Sequence, residues 1–205
     1  MTFRLGILAS GNGTDLDAIY KEMDEGLLPD VEVAVVLSDK ETAPVLEKAR
    51  VRGIRAEWVN PRTEAGELRS REDYDRELAQ RMGDVDLVCL VGYMRILTPV
   101  FIRVYSPTRI LNVHPALLPK YGGNGWYGMK VHEAVIANGE KESGMTIHFV
   151  DFGVDSGPMI LQKKLAVEPG ETPETLKAKV QELEKRAYPE AIRLIYQERV
   201  GNLGE

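Results

Sequence analysis

Three side chains in this sequence form a set able to carry acyl transfer: the amide of Asn112, the imidazole of His114 and the carboxylate of Asp155. Such chemistry needs a donor for an oxyanion, a group that moves a proton, and a charge that orients that group. Asn112 and His114 lie in Leu111-Asn112-Val113-His114-Pro115, and Asp155 lies in Val154-Asp155-Ser156-Gly157-Pro158. Each ends or follows a run that reads as a buried strand, the place where open α/β sheets display functional side chains. The turn imposed by Pro115 is expected to bring Asn112 and His114 to one site, and Asp155 must reach it through folding.

A second candidate is Ser10-Gly11-Asn12-Gly13-Thr14-Asp15, between the first strand and the first helix. Glycines there allow close backbone approach, and the N–H groups of a helix N-terminus favour an anion. A phosphate monoester fits this loop best. It lacks the Gly-Lys-Ser/Thr of a Walker loop, and Leu16 stands where a dinucleotide fingerprint has its third small residue. A plain strand-to-helix turn remains open. Tyr121 to Gly128 holds four glycines beside Trp126 and Tyr127, which fits either a mobile loop closing over a ligand or an ordered surface turn. His132 reads as helical and His148 as part of a half-buried strand, so neither joins the catalytic set. Three separated histidines and one cysteine show no zinc spacing, and no metal is expected.

These residues need a scaffold. Phe3 to Leu8, Val31 to Leu37, Leu87 to Val91 and Ile110 to Val113 are short apolar runs alternating with amphipathic segments, which predicts an α/β fold with a parallel, doubly wound sheet. Cys89 sits in a run apolar on both faces and reads as packing. After Gly139, Met145 to Val150 alternates and Met159 to Val167 follows a turn cluster, predicting an antiparallel addition near the C-terminal end. Thr172 caps a last helix with Pro173 in its first turn. Leu176, Val180, Leu183, Ala187, Ala191 and Ile195 recur at helical spacing, with a kink or restart expected at Pro189 and a frayed tail over Gly201 to Glu205.

At 205 residues the chain suits one domain, and no linker divides it. A net charge of -6 argues against a general nucleic-acid binder, which needs a basic face. A single cysteine, no signal-peptide layout and no bilayer-length apolar run predict a cytoplasmic protein without membrane attachment.

Beyond these readings, the chain resembles the folate-dependent formyltransferase family, in its phosphoribosylglycinamide branch, from about Phe3 to Tyr196. The likeness lies in Ser10 to Leu16, Ser70 to Asp75, Gly92 to Leu97, Leu111 to Tyr121 and Asp155 to Gln162. It implies a Rossmann-like formyltransferase fold, with residues 1–205 as a single formyltransferase domain and no metal requirement. It further implies that 10-formyltetrahydrofolate donates its formyl group to the glycyl amine of glycinamide ribonucleotide, a step of de novo purine (IMP) biosynthesis. Asn112 and a protonated His114 would stabilise the oxyanion, with Asp155 favouring the charged imidazole and ordering a proton-carrying water. Gly11, Asn12, Gly13, Thr14, Asp15 and Glu184 are the implied ribonucleotide contacts. Arg71, Met94, Arg95, Ile96, Leu97, Asn112, Val150, Asp151, Phe152, Gly153, Val154 and Asp155 are the implied folate contacts. Asp15 stands where the family usually has asparagine, and a carboxylate repels phosphate, so backbone contacts should dominate there. The glycine-rich stretch after Tyr121 departs from the family's usual Pro-Gly pair.

The expected partners are these two small molecules, with no nucleic acid, and the chain is expected as a monomer or homodimer. A formyltetrahydrofolate hydrolase would use the same three residues with water as acceptor, and a formyltransferase could act on another amine. A noncatalytic nucleotide-binding module would need the glycine loop but not Asn112, His114 and Asp155 together.

Overall fold

The computed structural model describes residues 2–105 and 108–201, and its internal contacts divide into two compact units, residues 1–112 and 113–205. In the first unit, β1 (Phe3–Ala9), α1 (Thr14–Asp24), β2 (Val31–Ser38), α2 (Pro44–Val51), β3 (Arg55–Trp58), α3 (Arg71–Met82), β4 (Leu87–Val91) and α4 (Pro99–Tyr105) lead into β5 (Ile110–His114). The strand order is β3-β2-β1-β4-β5, and every pair is parallel. β1 and β4 are buried almost throughout, as their apolar runs require, with Ile7 opposite Cys89 and Leu8 opposite Leu90. Cys89 is buried and forms no disulfide. Each fully buried leucine or isoleucine here stabilises the fold by about 2 kcal/mol before entropy is counted.

β3 escapes the sequence reading for a physical reason. It is a four-residue edge strand, Arg-Ala-Glu-Trp, whose half-exposed side chains carry no apolar run.

The chain order reverses between β1 and β4, and their carboxyl ends therefore flank a topological switch point. The loops leaving these strands are tied together there. The Ser10 N–H donates to the Gly92 carbonyl at 3.3 Å, and the Met94 N–H donates to Ser10 Oγ at 2.9 Å.

The second unit takes over β5 at Val113 and continues through α5 (Met129–Ala137), β6 (Glu142–Phe149), β7 (Met159–Ala166) and α6 (Pro173–Gly201), with strand order β5-β6-β7. β6 and β7 are antiparallel, as expected. β6 corrects the half-buried reading: Ser143 to Phe149 are all buried. Thr146 and His148 are tolerated there because their side chains are partnered. Thr146 Oγ1 donates to the Ala116 carbonyl at 2.7 Å and accepts from Leu118 N–H at 3.1 Å and from Gln162 Nε2 at 2.9 Å.

α6 begins as the sequence indicates, with Thr172 Oγ1 accepting from Thr175 N–H at 3.3 Å. Leu176, Val180, Ala187, Ala191 and Ile195 are buried, and the helix runs unbroken past Pro189. Pro189 therefore restarts nothing. The tail expected to fray lies, from 202 onward, outside the described residues.

Gly13 supplies a local test. It caps α1 in the left-handed conformation at φ 67°, and a Cβ there would meet Val45 Cγ2 at 2.5 Å, whereas a Cβ on Gly11 meets nothing within 4 Å. Gly13→Ala is expected to lower the unfolding free energy by about 1–2 kcal/mol, with Gly11→Ala close to neutral. Equal urea midpoints for the two variants at unchanged m would refute this account of the loop.

Candidate functional site

In the first unit, the candidate residues gather on the two loops at the switch point. Gly13 leaves α1 with no side-chain cap, while the Asn12 carbonyl accepts from Lys48 Nζ at 2.8 Å and the Gly11 carbonyl from Val45 N–H at 3.3 Å. The loop is thus fixed by its carbonyls, and its N–H groups head the helix. Asp15 is buried in the first turn, so it does not form an exposed face of the loop.

The loop after β4 is pinned from α3. Arg71 donates to the Ile96 carbonyl at 2.7 Å, Thr98 N–H donates to Asp75 Oδ2 at 2.5 Å, and the Arg95 guanidinium lies 4.5 Å from the Tyr74 ring centroid. Arg71 and the loop carrying Met94 to Leu97 are therefore neighbours. Met94 and Ile96 remain more than half exposed on this loop, an apolar surface with polar edges.

In the second unit, His114 and Asp155 meet. β5 persists through His114, so Asn112 and His114, two residues apart, share one face of the strand, and no turn at Pro115 is needed to align them. Asp155 is held at φ 54°, an uncommon conformation for a residue with a Cβ, after a turn in which Asp151 Oδ1 accepts from Gly153 N–H at 3.0 Å and from Ser156 Oγ at 2.8 Å. Gly157 allows that turn to pack, because a Cβ there would sit 1.9 Å from the Phe149 carbonyl oxygen.

The Asp155 carboxylate has three partners. His114 Nδ1 lies 3.3 Å from Oδ2, His148 Nε2 lies 3.6 Å from Oδ1, and the Gly123 N–H donates to Oδ2 at 3.0 Å. Burial pushes this carboxyl up, but His148, His114 and the Gly123 N–H outweigh it and hold it below its ordinary range. At His114 the balance is opposite: burial pushes the imidazole down, and Asp155 with the Tyr121 carbonyl offsets only part of that. His114 Nε2 is 2.6 Å from the Tyr121 carbonyl oxygen, which can only accept, so Nε2 carries a proton.

The sequence reading missed His148, which donates from Nδ1 to the Phe149 carbonyl at 2.9 Å and turns its other nitrogen toward Asp155. The signal was present in a histidine set among apolar residues, since a buried imidazole needs partners. Glu184 is half-buried on α6. Val150 to Val154 form the turn leading to Asp155, with Phe152 exposed at its tip. Among the described residues, no group of three or more His, Cys, Asp or Glu side chains is arranged to hold a metal ion. No described helix is long and apolar enough to cross a membrane.

The imidazole and buried carboxylate paired at the end of β5 are groups suited to moving a proton in acyl-group chemistry. The chain belongs to the Formyl transferase family, whose sequence profile matches residues 3–192. Among its relatives is the phosphoribosylglycinamide formyltransferase of Escherichia coli (strain K12), 40% identical over 185 residues that cover 89% of this chain and 82% of that protein. This chain is also 35% identical over 197 residues to the trifunctional purine biosynthetic protein adenosine-3 of Drosophila melanogaster, covering 94% of this chain and 14% of that longer protein. The crystal structure of glycinamide ribonucleotide transformylase 1 from Symbiobacterium toebii aligns with TM-score 0.83 and 41% identity, covering 97% of this chain and 89% of that one. That of phosphoribosylglycinamide formyltransferase from Bacillus halodurans aligns with TM-score 0.83 and 37% identity, covering 94% of each.

His132, buried on α5, is expected to make the second unit acid-sensitive. Its imidazole is lowered from 6.5 to about 4 by burial first, then by Lys177 and His114. A base whose folded pKa is depressed stays neutral while the unfolded chain takes up a proton. Stability is therefore lost as pH falls from 6.5 toward about 4, by up to about 3 kcal/mol, and His114 adds in the same direction. His132→Gln is expected to flatten that part of the stability curve, measured as urea midpoint against pH. An unchanged slope would refute the assignment.

Proposed function

We propose that the chain transfers the formyl group of 10-formyltetrahydrofolate to the glycyl amine of N1-(5-phospho-D-ribosyl)glycinamide, releasing tetrahydrofolate and the formylated ribonucleotide in de novo purine biosynthesis. The observation that carries this reading is the buried His114–Asp155 pair, set beside Asn112 on β5, in a chain whose relatives bear that enzyme's name. Residues 1–205 act in it as a single formyltransferase domain in the cytoplasm, as a monomer or homodimer.

The amine nitrogen attacks the formyl carbon, the carbonyl oxygen becomes an oxyanion, and the bond from that carbon to folate N10 then breaks. Asn112 donates its amide N–H to the oxyanion. His114 supplies positive charge: burial keeps the ring short of protonation at rest, and a neighbouring oxyanion raises its affinity for a proton as the intermediate forms. Asp155, ionised, draws the proton from the amine and passes it to His114 Nδ1, which charges the ring while the oxyanion exists, and the same proton returns through Asp155 and water to N10 as the bond to that nitrogen breaks.

In the first unit, the backbone of Gly11, Asn12, Gly13, Thr14 and Asp15 holds the ribonucleotide phosphate, while Arg71 and Met94, Arg95, Ile96 and Leu97 serve the folate. In the second, Val150 to Asp155 serve the folate and Glu184 the glycinamide or ribose.

Tetrahydrofolate release from 10-formyltetrahydrofolate is expected only when the ribonucleotide is present, and equal release without it would favour a hydrolase. His114→Ala is expected to slow transfer by roughly a hundredfold or more with ligand binding nearly intact. Unchanged turnover would remove His114 from the mechanism.

A further inference from the structure

We infer that Tyr121 is a positioning residue for His114: its anchored carbonyl fixes one imidazole proton on Nε2, so that the ring gains and loses its second proton at Nδ1, toward Asp155. The inference rests on the formyl-transfer reading for its catalytic consequence, but its geometry stands by itself.

Tyr121 is held from its far end. Its phenol donates to Glu140 Oε1 at 2.7 Å and accepts from Asn138 Nδ2 at 2.8 Å, at the end of α5 and just beyond it. Its ring meets Trp126 edge-on at a centroid distance of 5.3 Å. The backbone of Tyr121 is correspondingly constrained, at φ 56°, a conformation that persists in a residue of this size only where its surroundings impose it. The result is a carbonyl oxygen 2.6 Å from His114 Nε2. Two residues on, the Gly123 N–H reaches the same carboxylate oxygen that faces His114 Nδ1. A single strap therefore partners both members of the pair, and Gly122 between them lies close against Leu118, whose Cδ2 would be 2.4 Å from a Cβ there.

The two imidazole nitrogens are thereby given different tasks. A carbonyl oxygen cannot donate, so a proton remains on Nε2 in both charge states of the ring. Nδ1 faces a carboxylate that accepts a proton or returns one, and it is the nitrogen whose occupancy changes. The titratable groups facing His114 are Asp155, His148 on β6 and His132 on α5, and only Asp155 and the Tyr121 carbonyl favour its charged form. With the strap loosened, the proton is free to settle on Nδ1, leaving Nε2 as a lone pair and Asp155 without a place to send a proton. That is the error a fixed tautomer prevents in catalytic imidazoles generally.

The test uses the full chain with 15N-labelled histidine. In the ligand-free protein, above the titration of His114, Nε2 is expected to give the signal of a protonated ring nitrogen and Nδ1 that of a bare one. Tyr121→Phe keeps the ring and its edge contact but loses the phenol, and should draw the two signals together as tautomers mix, with kcat lower by about tenfold and KM little changed. Glu140→Gln keeps an acceptor for the phenol and should preserve the wild-type spectrum and rate. A wild-type ring protonated on Nδ1 when neutral, or a Tyr121→Phe spectrum identical to wild type, would overturn the inference. If the wild type gave this spectrum but no formyl transfer, the functional reading would fail and the positioning role would stand.

Discussion

One carboxylate organises the second half of this protein. Asp155 is nine-tenths buried at its side chain, and a buried carboxylate without partners would cost several kcal/mol or give up its charge. The chain meets that demand from three directions: His114 at the end of β5, His148 near the end of β6, and the Gly123 N–H in the strap between β5 and α5. Much of the local architecture follows from bringing these segments to one point. Thr146 and Gln162 clamp the backbone after His114, Asp151 and Ser156 close the turn that carries Asp155, and Gly157 lets that turn lie against the Phe149 carbonyl. Two residues at the centre, Asp155 and Tyr121, hold left-handed backbone conformations, a cost sustained by the hydrogen bonds around them.

The first unit obeys a different constraint, that of parallel strands whose order reverses. Residues leaving β1 and β4 are forced to the same end of the sheet, and the chain closes the gap by bonding Ser10 to both Gly92 and Met94. An anion-receptive helix start and a partly apolar loop are thereby set side by side. Arg71 and Asp75, one turn apart on α3, hold the second loop from opposite ends by its carbonyl at Ile96 and its N–H at Thr98. The loops are tied together largely through backbone groups.

Much of this was legible in residue patterns. Buried parallel strands announce themselves as apolar runs, and Thr172-Pro173 with its periodic apolar face is a complete helix signal, so β1, β2, β4, β5 and α6 follow from local rules. The candidate residues Asn112, His114 and Asp155 also stood out, as polar side chains at or after the ends of such runs. What stayed hidden depends on contacts distant in sequence. β3 is polar because it lies on an edge, and His148 is a strand residue until Asp155 arrives beside it. The Tyr121 carbonyl belongs to the backbone and has no residue type to betray it. Nor does a helical pattern reveal that Pro189 sits within α6 without ending it.

The most direct test of this account is the titration of Asp155 itself, followed through its 13C-labelled carboxyl carbon in the folded protein. The account requires the carboxyl to remain ionised below the ordinary value of 3.8, with its signal responding as the neighbouring His114 ring takes up a proton. A midpoint at or above 3.8, with no response to His114, would mean that burial dominates and that Asp155 is not the charge around which the centre is built.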